Sequence, residues 1–192
     1  MAKYTRLTVL NQMISTGLVP VFYHNDVQVA TRVIEACLDG GARCIEFTNR
    51  GDQADQVFGE LIRRFLDDDR LILGVGTVLD PHTAAIYIQH GTNFVVTPDF
   101  NPDVALVCNL RKVAISPGCA SVSEINQAMR YGVEICKVFP GGDVSEDRVL
   151  FDPLEVHCPG FLSCQLVVSR LIKTTSMNGS ALGQLVLAWG VN

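Results

Sequence analysis

Apolar residues follow two alternating patterns along the chain: short, nearly continuous runs, and longer stretches in which they return every three or four positions. The runs "LVPVFYH", "RCIEFTN", "LILGVGTV", "NFVVTP", "KVAISPG" and "EICKVFPG" predict strands. The stretches between them, "DVQVATRVIEACLDGG", "ADQVFGELIRRFLDDD", "PHTAAIYIQHG", "NPDVALVCNL" and "SVSEINQAMRYG", predict helices. The helix starts carry their own signals. Asp80-Pro81 and Asn101-Pro102 each pair an N-cap with a proline at the first helical position, and Ser121 with Glu124 forms a capping box. Gly40, Gly91 and Gly132 stand where helices would end.

Strands this short and this apolar, each followed by a helix, predict an α/β fold with a parallel sheet covered on its outer face. Such a sheet is either open or closed into a barrel. Six strands fall within the first 142 residues at a repeat of roughly 24, and about 50 residues then remain for two more minimal units, which favours a TIM (β/α)8 barrel. The first strand is not followed by G-x-G-x-x-G, so a dinucleotide-binding sheet loses its main support.

Length and composition narrow the functional classes. A chain of 192 residues, 48% hydrophobic, is enough for one cored domain over residues 1–192. A net charge of -5 with scattered Lys and Arg leaves no basic face for nucleic acid. No run of apolar residues is long enough for a signal peptide or a membrane span, so the expected place is the cytoplasm. The seven cysteines contain no C-x-x-C pair and read as reduced core thiols; apart from His157-Cys158, the four histidines do not approach them at metal-ligand spacing, so no metal is expected.

In a β/α barrel the chemistry sits at the carboxyl ends of the strands. There the second strand offers Glu46, Thr48 and Arg50, the third Gly76-Thr77, the fourth Thr97-Pro98, and the sixth Lys137 and Phe139-Pro140. Each has an ordinary reading: Lys137 can snorkel to water, Glu46 can pair with Arg43 or Arg50 at a rim, Thr77 can be a plain strand residue, and Gly74 and Gly76 can serve tight packing. Together they form a chemically coherent set. A buried lysine can attack a ketone and become an iminium that draws electrons from a neighbouring carbon–carbon bond. A carboxylate such as Glu46 moves the protons this requires, an arginine such as Arg50 can hold a substrate carboxylate through its planar fork, and Thr77 can donate a hydroxyl hydrogen bond.

The segments "LVPVF", "GGARCIEFTNRG", "GVGTVLDP", "FVVTPDFNPDV", "ISPGCASVSEI" and "KVFPGG" resemble the 2-keto-3-deoxy-6-phosphogluconate (KDPG) and 4-hydroxy-2-oxoglutarate (KHG) aldolase family, in order and spacing, over about residues 8–142. The resemblance implies a TIM (β/α)8 barrel of the class I aldolase type, a cytoplasmic homotrimer without metal or cofactor, acting on a small keto acid. It implies Lys137 as the Schiff-base lysine, Glu46 as the general acid/base, and Arg50, Thr77, Pro98 and Phe139 as the pyruvate pocket. The products would be pyruvate and an aldehyde, glyceraldehyde 3-phosphate or glyoxylate. Where the family more usually has "EVTLRT" this chain has "EFTNRG", which keeps the Glu and the Arg but leaves the preference between phosphorylated and unphosphorylated substrates open.

After Gly142 the resemblance stops: residues 1–142 hold the family-like units and 143–192 diverge. The family continues with a strand ending in a P-T-G-G phosphate loop and a last strand with a G-S near its end, and neither motif is present here. One reading is divergence, with "FLSCQLVVS" and "GQLVLAWG" as strands. The other comes from the genetic code. Read one base out of frame, with synonymous codons left free, the chain from Cys164 onward permits "PTGGVTADQDNIDEWFSAGATCVGMGSQ", and Leu154 to Pro159 permits "RGPLPW". Met177 and Trp189 have single codons and force the glutamate of "DEWF" and the last glycine of "GMGS". A frameshift in the gene or in its determined sequence is thus the expectation for the last 50 or so residues. As written, the chain is expected to form a barrel incomplete at its C-terminus, with exposed edge strands and weak action on phosphorylated substrates, or in the limit a catalytically impaired barrel that binds keto acids weakly.

Overall fold

The computed structural model describes residues 2–139, together with the backbone of strands 162–167 and 187–191. Pro140 and the segments 140–161 and 168–186, where the phosphate loop would be sought, lie outside the described residues.

The alternation expected from the apolar pattern is present throughout the family-like part. β1 (Val19–Phe22), β2 (Cys44–Thr48), β3 (Ile72–Gly76), β4 (Phe94–Thr97), β5 (Ala114–Cys119) and β6 (Ile135–Val138) are separated by α2 (Val27–Asp39), α3 (Ala54–Arg64), α4 (Pro81–His90), α5 (Pro102–Arg111) and α6 (Val122–Arg130). Each of these strands pairs in parallel with the next. The caps act as predicted. Asp80 accepts from the backbone of His82 and Thr83, Asn101 from Asp103 and Val104, and Ser121 from Glu124, whose carboxylate returns to the N–H of Ala120. Gly91 ends α4 in the left-handed conformation, at φ 100°, whereas Gly40 ends α2 in a right-handed one at φ -74° and leaves the left-handed step to Gly41 at φ 94°.

One helix was not anticipated. α1 (Arg6–Thr16) precedes the first strand, is capped by Thr5 on the N–H of Thr8, and ends at Gly17 in the left-handed conformation. It buries Val9, Leu10 and Met13 in a cluster with Val19, Cys44, Ile72, Phe94, Ala114 and Ile135, the first residues of β1 to β6. α1 therefore plugs the amino-terminal end of the barrel. Its sequence hides this role, because only that small apolar group is buried while Leu7 and Ile14 face outward.

Strand alternation divides the core in two. Ile45, Phe47, Leu73, Val75, Val95, Ile115 and Cys136 point outward and pack under the helices with Ile34, Phe58, Leu61, Tyr87 and Val104. A chain of aromatic rings ties this outer layer together, from Phe22 through Phe47 and Phe58 to Tyr87, with centroids 5.1 to 6.1 Å apart. The intervening positions on each strand face the barrel interior.

Beyond β6 the pattern departs from eight equal units. β7 (Leu162–Val167) pairs in parallel with β6, but β8 (Leu187–Val191) runs antiparallel to both β7 and β1. The strand order closes on itself, so the edges expected to be exposed are paired through their backbones. What is present is an α/β fold with six parallel strands in the family-like part, a seventh parallel to them, and an antiparallel closure by β8, not a regular (β/α)8 array. A parallel return needs a crossover of a dozen or more residues that can pack over the sheet, whereas antiparallel pairing requires none.

Candidate active site at the carboxyl ends of the strands

The inner face of the barrel changes character along four of its first six strands. The first inward position is apolar on all six; the next stays apolar on β1 and β4, at Val21 and Val96, whereas the later positions are polar or glycine on the others: Glu46 and Thr48 on β2, Gly74 and Gly76 on β3, Ser116 and Gly118 on β5, and Lys137 on β6. These are the positions nearest the carboxyl ends, where backbone groups past the last ladder bond and loop dipoles can solvate polar side chains. Glu46 is 2% exposed and Lys137 9%. In the closed strand order β2 and β6 stand four strands apart either way round, so carboxylate and amine enter the lumen from opposite walls.

Lys137 is positioned by its surroundings on β5 and by the turn that follows it. It lies in register with Gly118, so no neighbouring side chain on β5 competes for its space. Its Nζ sits 5.0 Å from the centroid of the Phe139 ring, within cation–π range. That ring is held by the N–H of Phe139 donating to the carbonyl of Cys119 at 3.1 Å. The lysine is buried and its amine lies near an aromatic face, which speaks against the snorkelling alternative.

The other candidates gather on the loops just above. Thr77 follows β3 with φ 60°, a left-handed conformation that a β-branched residue adopts only under strain. It is half-buried, and the next N–H, of Val78, donates to the carbonyl of Val96. Pro98 is half-buried on the loop after β4, held by the Thr97 hydroxyl donating to the carbonyl of Asp99. A Cβ on Gly118 would stand 2.1 Å from the Pro98 carbonyl oxygen, so that glycine lets the Pro98 loop close over β5. Arg50 is exposed, in a tight turn where its N–H donates to the carbonyl of Thr48 at 3.0 Å. Arg50 thus belongs to the exposed rim of the site.

The barrel interior also holds Ser116, which the sequence reading missed, and Thr48, which it placed at the end of the second strand without a role. Ser116 is 2% exposed on the inner face of β5, and the buried hydroxyl of Thr48 makes no hydrogen bond among the described residues. Ser116 was open to discovery once the inward parity of each strand was counted from its first apolar residue. Cys44, low in the interior, is a different case: burial pushes its thiol up to about 12, which keeps it protonated and unreactive. Among the described residues no group of His, Cys, Asp and Glu is arranged to hold a metal ion, and no helix is long and apolar enough to cross a membrane.

With this geometry in place, comparison with known proteins is decisive about kinship. The sequence model of KDPG and KHG aldolases matches residues 9–147. The chain belongs to the KDPG and KHG aldolase family. The 2-dehydro-3-deoxy-phosphogluconate aldolase of Treponema pallidum is 34% identical over 134 residues, covering 70% of this chain and 62% of that protein. The chain thus spans less than two thirds of the length of this and several other curated relatives it matches. Among solved structures, the KDPG aldolase of Zymomonas mobilis ZM4, with 3-phosphoglycerate, superposes with a TM-score of 0.73 at 21% identity, covering 82% of this chain and 73% of that one. The KDPG aldolase of Legionella pneumophila, with pyruvate captured as a covalent carbinolamine, gives 0.72 at 23% identity, over 80% and 73%. At these identities the two structures speak for the shared fold.

Proposed function

We propose that this protein is a Schiff-base aldolase that reversibly cleaves a 2-keto-3-deoxy-6-phospho sugar acid, or 4-hydroxy-2-oxoglutarate, into pyruvate and an aldehyde. The observation that carries the reading is the pairing of a buried lysine with a buried glutamate on facing walls of one lumen, in a chain of this family. Lys137 attacks the C2 ketone, forming a C–N bond while the carbonyl electron pair moves to oxygen and takes a proton. Loss of that oxygen as water leaves an iminium. Glu46 then removes the proton from the C4 hydroxyl, the C3–C4 bond breaks, the aldehyde departs, and the electron pair is stored as an enamine. Protonation at C3 and hydrolysis release pyruvate and restore the amine. Thr77, Pro98 and Phe139 line the pyruvate half, and Arg50 folds in over the substrate carboxylate. Incubation with each keto acid, with pyruvate formation followed by a lactate dehydrogenase couple, tests this. Turnover of either substrate that disappears in Lys137→Met supports it, and turnover that persists in Lys137→Met contradicts it.

A second reading, a weak keto-acid binder with impaired catalysis, is favoured by the break in the pattern after residue 142. The family match ends at residue 147, and the last strand runs antiparallel. We attribute both to an out-of-frame stretch over residues 143–192, which removes the phosphate loop and leaves the imine half of the site on β2 to β6. Sequencing the source DNA across codons 140–152 should find a lost or inserted base; an uninterrupted frame overturns the attribution. A complete (β/α)8 barrel, assembling as a cytoplasmic homotrimer, belongs to the in-frame protein on this reading. The exposed leucines Leu106 and Leu110 on α5 support association, which analytical ultracentrifugation would measure.

A further inference from the structure

Two glycines face the barrel interior on β3, Gly74 and Gly76, and each makes room for a different kind of neighbour. A Cβ on Gly74 would lie 2.3 Å from the Phe94 ring, a rigid part of the barrel floor. A Cβ on Gly76 would lie 1.7 Å from Oε1 of Glu46, 2.5 Å from its Cδ and 2.9 Å from its Cγ. The backbone at neither position requires glycine, because neither is among the residues with positive φ. Glycine within a strand weakens it, so the space itself is what the residue provides. At Gly76 that space is filled by the Glu46 carboxylate.

We propose that Gly76 is a positioning residue: its missing side chain is the slot that aims the Glu46 carboxylate across the lumen toward Lys137. The proposal rests on the aldolase reading and adds a residue to it that acts only through Glu46. A methyl group at position 76 meets the far end of a flexible side chain rather than backbone. The fold therefore yields cheaply, by turning Glu46 out of its slot, while the proton relay is misplaced by more than a bond length. At position 74 the same methyl meets a packed aromatic ring, and the fold itself must give.

The test is the rate at which pyruvate is trapped on Lys137 by borohydride, measured with melting temperature for the unsubstituted chain, Gly76→Ala, Gly74→Ala, Glu46→Ala and the Gly76→Ala/Glu46→Ala pair. Gly76→Ala should melt within about 2 °C of the parent. Its trapping rate should fall roughly 100-fold, the scale of a displacement of about 1 Å in a catalytic group. In the Glu46→Ala background, Gly76→Ala should add no further loss, because the group it positions is gone. Gly74→Ala should instead lower the melting temperature. A parental trapping rate in Gly76→Ala, or an equal loss with and without Glu46, overturns the assignment while leaving the aldolase reading intact. Absence of any adduct on the unsubstituted chain overturns the aldolase reading, and this assignment with it.

Discussion

The lower and upper halves of the barrel interior are built from the same strands, yet they obey opposite rules. At the amino ends, Val19, Cys44, Ile72, Phe94, Ala114 and Ile135 meet α1 in an apolar plug with no polar side chain in the cluster. A few residues further along the same inward faces come Glu46, Thr48, Ser116 and Lys137, all buried. Burying a charge or an unpaired hydroxyl costs free energy that the lower half never incurs. The barrel carries that cost from the middle of the strands to their carboxyl ends, and not at the amino ends. Stability resides in the floor and chemistry at the rim, and substitutions at the two levels should separate accordingly.

The largest expected effect is at the rim. Lys137→Met should abolish pyruvate trapping altogether while leaving the melting temperature equal or higher, since a buried amine is replaced by an apolar side chain of similar length; a residual adduct seen by intact mass would place the imine elsewhere. At the floor the balance reverses. Phe94→Ala removes a ring that is 1% exposed, and should cost about 3–5 kcal/mol of stability in urea unfolding. A loss of less than about 1 kcal/mol would show that the interior collapses around the gap and that the plug is not close-packed.

Thr77 sharpens the comparison because strain, not burial, marks it. Holding a β-branched residue at φ 60° costs about 1–2 kcal/mol, while glycine at the same place loses about 0.5–1 kcal/mol in chain entropy. Thr77→Gly should therefore unfold at slightly higher urea, by about 1 kcal/mol or less, while half-saturation of trapping moves to higher pyruvate concentration. Lower stability in that variant would mean that the threonine side chain holds the loop.

An effect of similar, small size concerns pH and should spare the rim. Hydrogen bonds from Thr83 and His82 to the Asp80 carboxylate hold its pKa below the ordinary value. A group depressed in the folded state contributes stability above its unfolded pKa of about 3.9, and that stability is lost as pH falls through the lower folded value. Asp80→Ala should cost about 1 kcal/mol near neutrality, and the difference between variant and parent should shrink below about pH 4. A constant difference down to strong acid would assign the effect to something other than the cap.

Much of this was legible in the residues. Strand and helix order through β6, the caps at Asp80, Asn101 and Ser121, and the gathering of Glu46, Thr77, Pro98, Lys137 and Phe139 at one end all follow from apolar periodicity and barrel geometry. α1 was not legible because its buried group is small and its remaining faces mix polar and exposed apolar residues. Ser116 escaped notice, and Gly76 was read only as serving tight packing, for another reason. A serine or glycine inside an apolar run carries no signal of its own, and its meaning lies in what the neighbouring strand places against it, as Glu46 lies against Gly76. The antiparallel course of β8 could not be anticipated either, because strand direction depends on the connection before it, and no family pattern guides residues 143–192.

The central claim is that Lys137 forms an imine with a keto acid inside this barrel. Its most direct test is peptide mapping of the protein after incubation with pyruvate and borohydride. A single reduced pyruvate adduct is expected on the peptide containing Lys137. An unmodified Lys137, or an adduct confined to surface lysines such as Lys3 or Lys112, would contradict it.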